Sequence, residues 1–175
     1  MRVIGGEFRS RRLKSLQGPH LRPTPDRLRE TLFDILAPRI EGVTFLDAYA
    51  GTGAVGIEAL SRGAREAIFI ERSRAAADLI RENLQSLHIE TRAQVFCAKA
   101  QVVLQRLKAG IVFLDPPYDL AAEYPAALEL LGAAPPPLTI VQHDVRLELH
   151  DQYGRLRRTR TVRQGDNVLS FYAEA

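Results

Sequence analysis

Between Val43 and Val141 short β-favouring runs alternate with stretches of helical periodicity, and few folds accommodate that alternation. The runs are Val43–Asp47, Ala67–Glu71, Ala93–Ala98, Ile111–Asp115 and Leu138–Val141. Each is apolar, too short for a helix and mostly rich in branched or aromatic residues. The intervals predict helices over Val55–Ser61, after the cap residue Ser73 (stripe Ala76, Ile80, Leu84, Leu87), over Gln101–Leu107 and over Ala121–Leu131. Strands joined by helical crossovers run parallel, so the expected core is an open α/β sheet. Two alternating strands, Leu156–Val162 and Val168–Tyr172, flank the turn Gln164-Gly165-Asp166-Asn167 and close the sheet with an antiparallel hairpin. Ahead of the sheet, Thr24 suits a helix N-cap and Pro25 the first helical position. Leu28, Leu32, Ile35 and Leu36 then share one face, and Pro38 ends the run. Residues 1–16 predict a basic β-hairpin, Val3–Phe8 pairing with Arg12–Leu16 around Arg9-Ser10-Arg11. The expected division is an extension over 1–21 and one domain over 22–175.

Composition removes several classes of function. No apolar run approaches the roughly 20 residues of a membrane span, and the N-terminus lacks the apolar core of a signal peptide. Cys97 is the sole cysteine, which excludes an internal disulfide and points to a cytoplasmic protein. It lies in an apolar strand-like run and reads as a core residue. The four histidines show no metal-ligand spacing, so no metal is expected. A monomer is the expected state.

Ligands of open α/β sheets bind beyond the C-terminal strand ends. Asp47, Glu71 and Asp115 all stand at such ends. Asp115 opens Asp115-Pro116-Pro117-Tyr118. Proline cannot continue a central strand and keeps the residue before it extended. The strand therefore stops with the Asp115 carboxylate and the Pro116 carbonyl held in fixed directions beside the Tyr118 ring. Two acceptors next to a flat surface suit a planar group carrying an exocyclic amine, such as a nucleobase. The plain alternative is a strand end that happens to use prolines.

Gly51, Gly53 and Gly56 match the dinucleotide fingerprint, with Glu71 near the distance of a ribose-binding acid. A NAD site is one reading. Asp47 opposes it, because its charge would repel a pyrophosphate, and no hydride-transfer constellation accompanies the loop. S-adenosylmethionine fits better: Glu71 can hold ribose hydroxyls, and Asp47 suits a cationic methionine end. A purely structural glycine turn is the remaining alternative.

Arginines crowd both ends of the chain. Arg9, Arg11, Arg12, Lys14, Arg22 and Arg27 belong to one cluster, and Arg155, Arg157, Arg158, Arg160 and Arg163 form another. Together they suggest a polyanionic partner, although either alone reads better as a solvated face.

Leu46-Asp47-Ala48-Tyr49-Ala50-Gly51-Thr52-Gly53 resembles the cofactor loop of class I S-adenosylmethionine-dependent methyltransferases. Asp115-Pro116-Pro117-Tyr118 is similar to the motif of enzymes that methylate exocyclic amines of bases. With Arg22-Pro23-Thr24, Asp26–Phe33 and Glu58–Ala64, the chain from about Val3 to Tyr172 resembles the RsmD-type ribosomal RNA guanine-N2 methyltransferases. The resemblance implies a Rossmann-like class I methyltransferase sheet, mostly parallel with a C-terminal antiparallel hairpin, plus a small N-terminal β-hairpin extension. It implies S-adenosylmethionine contacts from Asp47, Ala48, Ala50, Gly51, Thr52, Gly53, Glu71, Arg72 and Ala100. Catalysis would fall to Asp115, Pro116, Pro117 and Tyr118. The RNA would be 16S ribosomal RNA within a small-subunit assembly particle, met by Arg9, Arg11, Arg12, Lys14, Arg22 and Arg27. Two positions depart from the family pattern: Lys99 replaces an acid or amide near the adenine, and Gln142 a common Glu. An adenine-N6 methyltransferase of DNA or RNA using the same motif stays open, as does a nucleic-acid-binding module with a degenerate pocket.

Overall fold

The alternating segments fold as α1 (Asp26–Leu36), β1 (Thr44–Asp47), α2 (Ala54–Ser61), β2 (Glu66–Glu71), α3 (Arg74–Ser86), β3 (Ala93–Cys97), α4 (Ala100–Val103), β4 (Ile111–Leu114), α5 (Glu123–Ala133), β5 (Leu138–Asp144), β6 (Gln152–Tyr153), β7 (Leu156–Gln164) and β8 (Asn167–Glu174). The computed structural model describes residues 1–18 and 23–175. One eight-stranded sheet has the order β3-β2-β1-β4-β5-β8-β7-β6. β1 to β5 are parallel, and β8, β7 and β6 continue antiparallel. The order reverses between β1 and β4, so the C-terminal ends of those strands flank the topological switch point.

Apolar side chains fill both faces. Leu28, Leu32 and Phe33 of α1 and Val55 and Ala59 of α2 pack on Phe45, Phe113 and Ile140. On the opposite face Ala100 and Val103 of α4 and Tyr124, Ala127 and Leu128 of α5 cover Leu46, Val112 and Val141. The predicted stripe of α3 is buried, and the Ser73 hydroxyl accepts the Ala76 N–H at 3.4 Å.

Several expectations need correction. The helix expected over Gln101–Leu107 is one α-helical turn, α4, followed by a 3-10 turn at Leu104–Arg106. β5 extends to Asp144, because β8 pairs with Gln142, His143 and Asp144. Thr24 is not a cap: Pro25 holds that position, and among the described residues no side chain caps α1. Cys97 is exposed rather than buried, since β3 is the edge of the sheet. The N-terminal pairing is narrower than expected. Among the described residues its single bridge joins Arg2 to Arg12, and residues 5–10 are bends and turns. This segment packs against helices. Glu58 of α2 accepts the Ile4 and Gly5 N–H groups at 2.9 and 2.8 Å, and Val3 and Leu13 join the core.

Candidate active site

Three acids converge beyond the ends of β1, β2 and β4. Their residues alternate along each strand so that Asp47, Glu71 and Asp115 project from the α1–α2 side of the sheet. Asp47 is 1 % exposed, and its carboxylate accepts the Gly56 N–H in the first turn of α2 at 3.0 Å. Burial pushes its pKa up to about 7 against that hydrogen bond, and the nearby Asp115 and Glu71 push further. Asp115 is half-buried and is likewise pushed up to about 7 by burial, with the Thr24 hydroxyl opposing at 3.4 Å. Glu71 accepts the Gly51 N–H and the Ser73 N–H, both at 2.8 Å. Among the described residues none of the three forms an ion pair. Three carboxyl groups that have no cationic partner among the described residues suit a cationic ligand, which would favour their charged forms.

The glycines of the loop have different tasks. Gly51 has φ +55°, and a Cβ built on it would meet none of the described residues within 4 Å, so its backbone faces space a ligand can approach. A Cβ on Gly56 would stand 2.3 Å from Cε1 of Phe69, so this glycine lets α2 press on β2. Ala48 and Ala50 are fixed by backbone bonds to Phe113 and Ile70. Thr52 lies against Met1, and Gly53 precedes α2. Arg72 is exposed beside Glu71. Ala100 opens α4 with its side chain in the same apolar cluster as Ala48 and Ile70. Lys99 just before it is exposed.

The Asp115–Tyr118 stretch is braced by residues that sequence reasoning missed. Tyr124, buried in α5, donates its hydroxyl hydrogen to the Pro116 carbonyl at 3.2 Å. One lone pair of that carbonyl remains for another donor. Tyr118 is 44 % exposed, and its hydroxyl reaches Oδ1 of Asn167 at 3.3 Å, in the closing hairpin. Beside it Ala121, Tyr124, Asp144, Arg146 and Leu147 line a cavity of about 460 Å³. Pro117 is exposed at the turn. Gln142 is buried on β5, and its amide oxygen has no partner among the described residues. No local pattern marks Tyr124 or Asn167, since their partners lie on other elements.

Of the basic residues expected to meet RNA, Arg9, Arg12 and Arg27 are exposed. Arg11 donates to the Ser86 carbonyl at 3.1 Å, and Lys14 pairs with Glu82 at 2.9 Å, both on α3. Arg22 lies outside the described residues. In the second cluster Arg155 pairs with Glu174 and Arg158 with Asp151, while Arg157 and Arg160 are exposed. Among the described residues no group of acids, histidines or cysteines is arranged to hold a metal, and no helix is long and apolar enough to cross a membrane.

The sequence model of a family described as Conserved hypothetical protein 95 matches residues 1–173. The chain belongs to this family. It is the family of the RsmD-type methyltransferases, as the motifs led us to expect. YlbH of Bacillus subtilis, named as a candidate rRNA methyltransferase, is 35% identical over 98% of each chain. Ribosomal RNA small subunit methyltransferase D of Escherichia coli K12 is 45% identical over 120 residues, 67% of this chain and 60% of that protein. Among solved structures, the candidate methyltransferase YhhF of Escherichia coli superposes with a TM-score of 0.88 at 32% identity, covering 99% of this chain and 97% of that one. The Rossmann-like methyltransferase fold expected for an RsmD-type chain is therefore the fold observed.

Proposed function

We propose that this RsmD-type protein transfers a methyl group from S-adenosylmethionine to the exocyclic N2 amine of a guanine in small-subunit (16S) ribosomal RNA. The observation that carries the reading is the meeting of two half-sites at the switch point. One is an acid-lined glycine loop; the other is the Asp115 carboxylate and Pro116 carbonyl beside the exposed Tyr118 ring. The residues present fit the cofactor. Gly51 offers backbone with open space in front of it, Glu71 suits ribose hydroxyls, and Asp47 with its neighbouring acids suits a cationic ligand. When bound, S-adenosylmethionine supplies an electrophilic methyl group.

The chain's own part is to prepare the amine. The lone pair of guanine N2 is conjugated into the ring and is a poor nucleophile. Asp115 and the free lone pair of the Pro116 carbonyl accept the two N–H groups, which favours pyramidalisation and frees the nitrogen lone pair. Tyr118 stacks on the base once it has left its helix or loop. Holding the amine in line with the methyl group supplies much of the rate. The proton is lost to Asp115 or to water after transfer. The exposed Arg9, Arg12 and Arg27, with Arg11, Lys14 and Arg22, meet RNA phosphates. The substrate is a small-subunit assembly particle, and the protein acts as a cytoplasmic monomer without a metal.

Labelled-methyl transfer to DNA, naked ribosomal RNA and small subunits lacking the modification tests the reading. Label should enter guanine N2 of the small-subunit RNA. Label in adenine, or in DNA alone, would reject it.

A further inference from the structure

Asn83 lies in α3 with 1 % of its surface exposed, and the proposed reaction gives it no task. Its amide is fully engaged by two distant segments. Oδ1 accepts the Lys14 backbone N–H at 2.8 Å, and Nδ2 donates to the Lys14 carbonyl at 3.0 Å and to the Thr52 carbonyl at 3.3 Å. A second contact joins the same segments, from the Thr52 hydroxyl to the Met1 sulfur at 3.5 Å. Val3 and Leu13 complete the junction, sharing an apolar cluster with Ala50, Ala54 and Ile80. Arg9 and Arg12 of the N-terminal segment are exposed to solvent.

One buried amide thus fixes the distance between the basic segment and the cofactor loop. Displacing either segment would leave a buried donor unmet, which is costly in an enclosed site. We infer that Asn83 is a positioning residue that couples RNA bound on the N-terminal segment to the affinity of the Gly51–Gly53 loop for the cofactor. The inference rests on the proposed function, in which that segment meets RNA and that loop meets S-adenosylmethionine. RNA held on Arg9 and Arg12 restricts the motion of the segment, and through Asn83 that of the loop, so the loop has less freedom left to lose when the cofactor enters. The coupling is therefore positive, and by linkage it is equal in both directions.

The test is calorimetric titration of the full chain with S-adenosylhomocysteine, which cannot turn over. It is run alone and with saturating transcript of unmodified small-subunit ribosomal RNA, at one fixed salt concentration. RNA should tighten binding to the wild-type chain by about fivefold or more, the lower end of typical couplings. Asn83→Asp keeps the acceptor for Lys14 and loses both donated bonds; Asn83→Leu is the near-isosteric companion free of the buried charge. Each should bind S-adenosylhomocysteine more weakly than wild type and lose the RNA enhancement. A purely structural role would lower the melting temperature and leave the enhancement in place. If wild type binds both ligands but the two affinities are independent, or if the enhancement survives in the variants, the inference is wrong. If S-adenosylhomocysteine fails to bind under every condition, the cofactor reading falls and takes the inference with it.

Discussion

The Tyr124 hydroxyl donates to the Pro116 carbonyl at 3.2 Å, so a buried side chain of α5 sets the direction of one of the two acceptors at the strand end. Tyr124 is itself 1 % exposed, and burial pushes its phenol well above the usual range, so it remains a donor at every working pH. Tyr124→Phe removes the brace and leaves the ring packing intact. It should cost about 1 kcal/mol of stability and lower single-turnover methylation without altering cofactor affinity. Denaturant titration and rapid-quench kinetics read the two effects, and an unchanged rate would mean that the carbonyl needs no holding.

Asp47 makes the fold sensitive to pH. Its folded-state pKa, about 7, lies above the unfolded value of about 4. Across that window the folded chain holds the proton more tightly, so stability falls as pH rises from about 4 to about 7. Asp115, raised by the same cause, adds in the same direction. Asp47→Asn retains an oxygen for the Gly56 N–H and removes one of the two titrations. Urea denaturation at pH 5 and 7 should show a smaller loss of stability in the variant. Equal losses would show that Asp47 titrates normally.

Tyr118 carries two separable contributions. Base stacking is worth roughly 1–3 kcal/mol, so Tyr118→Ala should weaken RNA engagement by about fivefold to a hundredfold or more. The hydroxyl bond to Asn167 holds the ring from the closing hairpin and takes no part in stacking. Tyr118→Phe and Asn167→Ala should therefore each be mild, and the double variant no worse than the poorer single one. Filter-binding and single-turnover assays would expose a departure from that pattern.

The basic segment can be tested without cutting it away. Deleting residues 1–16 would strip Val3 and Leu13 from the core and the Lys14 backbone from Asn83. Arg9→Glu with Arg12→Glu changes only exposed side chains. RNA affinity should drop, and the logarithmic salt slope should flatten by about 0.7 to 0.9 for each phosphate that is no longer neutralised. An unchanged slope would assign RNA binding to another surface, with Arg157 and Arg160 of β7 the next to examine.

The parallel strands, the glycine loop and the strand-end acids were legible because each is a local pattern: apolar runs, turn residues, a carboxylate at a fixed offset. What the sequence hid depends on partners far along the chain. Thr24 has the chemistry of a cap, but its hydroxyl faces Asp115, 91 positions away, and α1 starts without it. The N-terminal segment reads as an independent hairpin, yet its backbone donors go to Glu58, 54 and 53 positions on, and to Asn83, 69 positions on. Cys97 reads as core because its neighbours are apolar, and only the strand order shows β3 at an edge. Periodicity supplies the elements; it does not supply which side chain of one element meets the backbone of another.

The central claim is that Asp115 prepares the target amine. Single-turnover methylation of unmodified small subunits by Asp115→Ala, with cofactor affinity measured in parallel, addresses it most directly. The variant keeps the Pro116 carbonyl, the Tyr118 ring and the Asp47–Gly51–Glu71 loop, so it should fold and bind S-adenosylmethionine as wild type does. Its rate should fall on the order of 10²- to 10³-fold, the scale of losing one preorganised polar partner at a reacting group. Near-normal turnover with intact cofactor binding would contradict the account, leaving Asp115 as the end of a strand and no more.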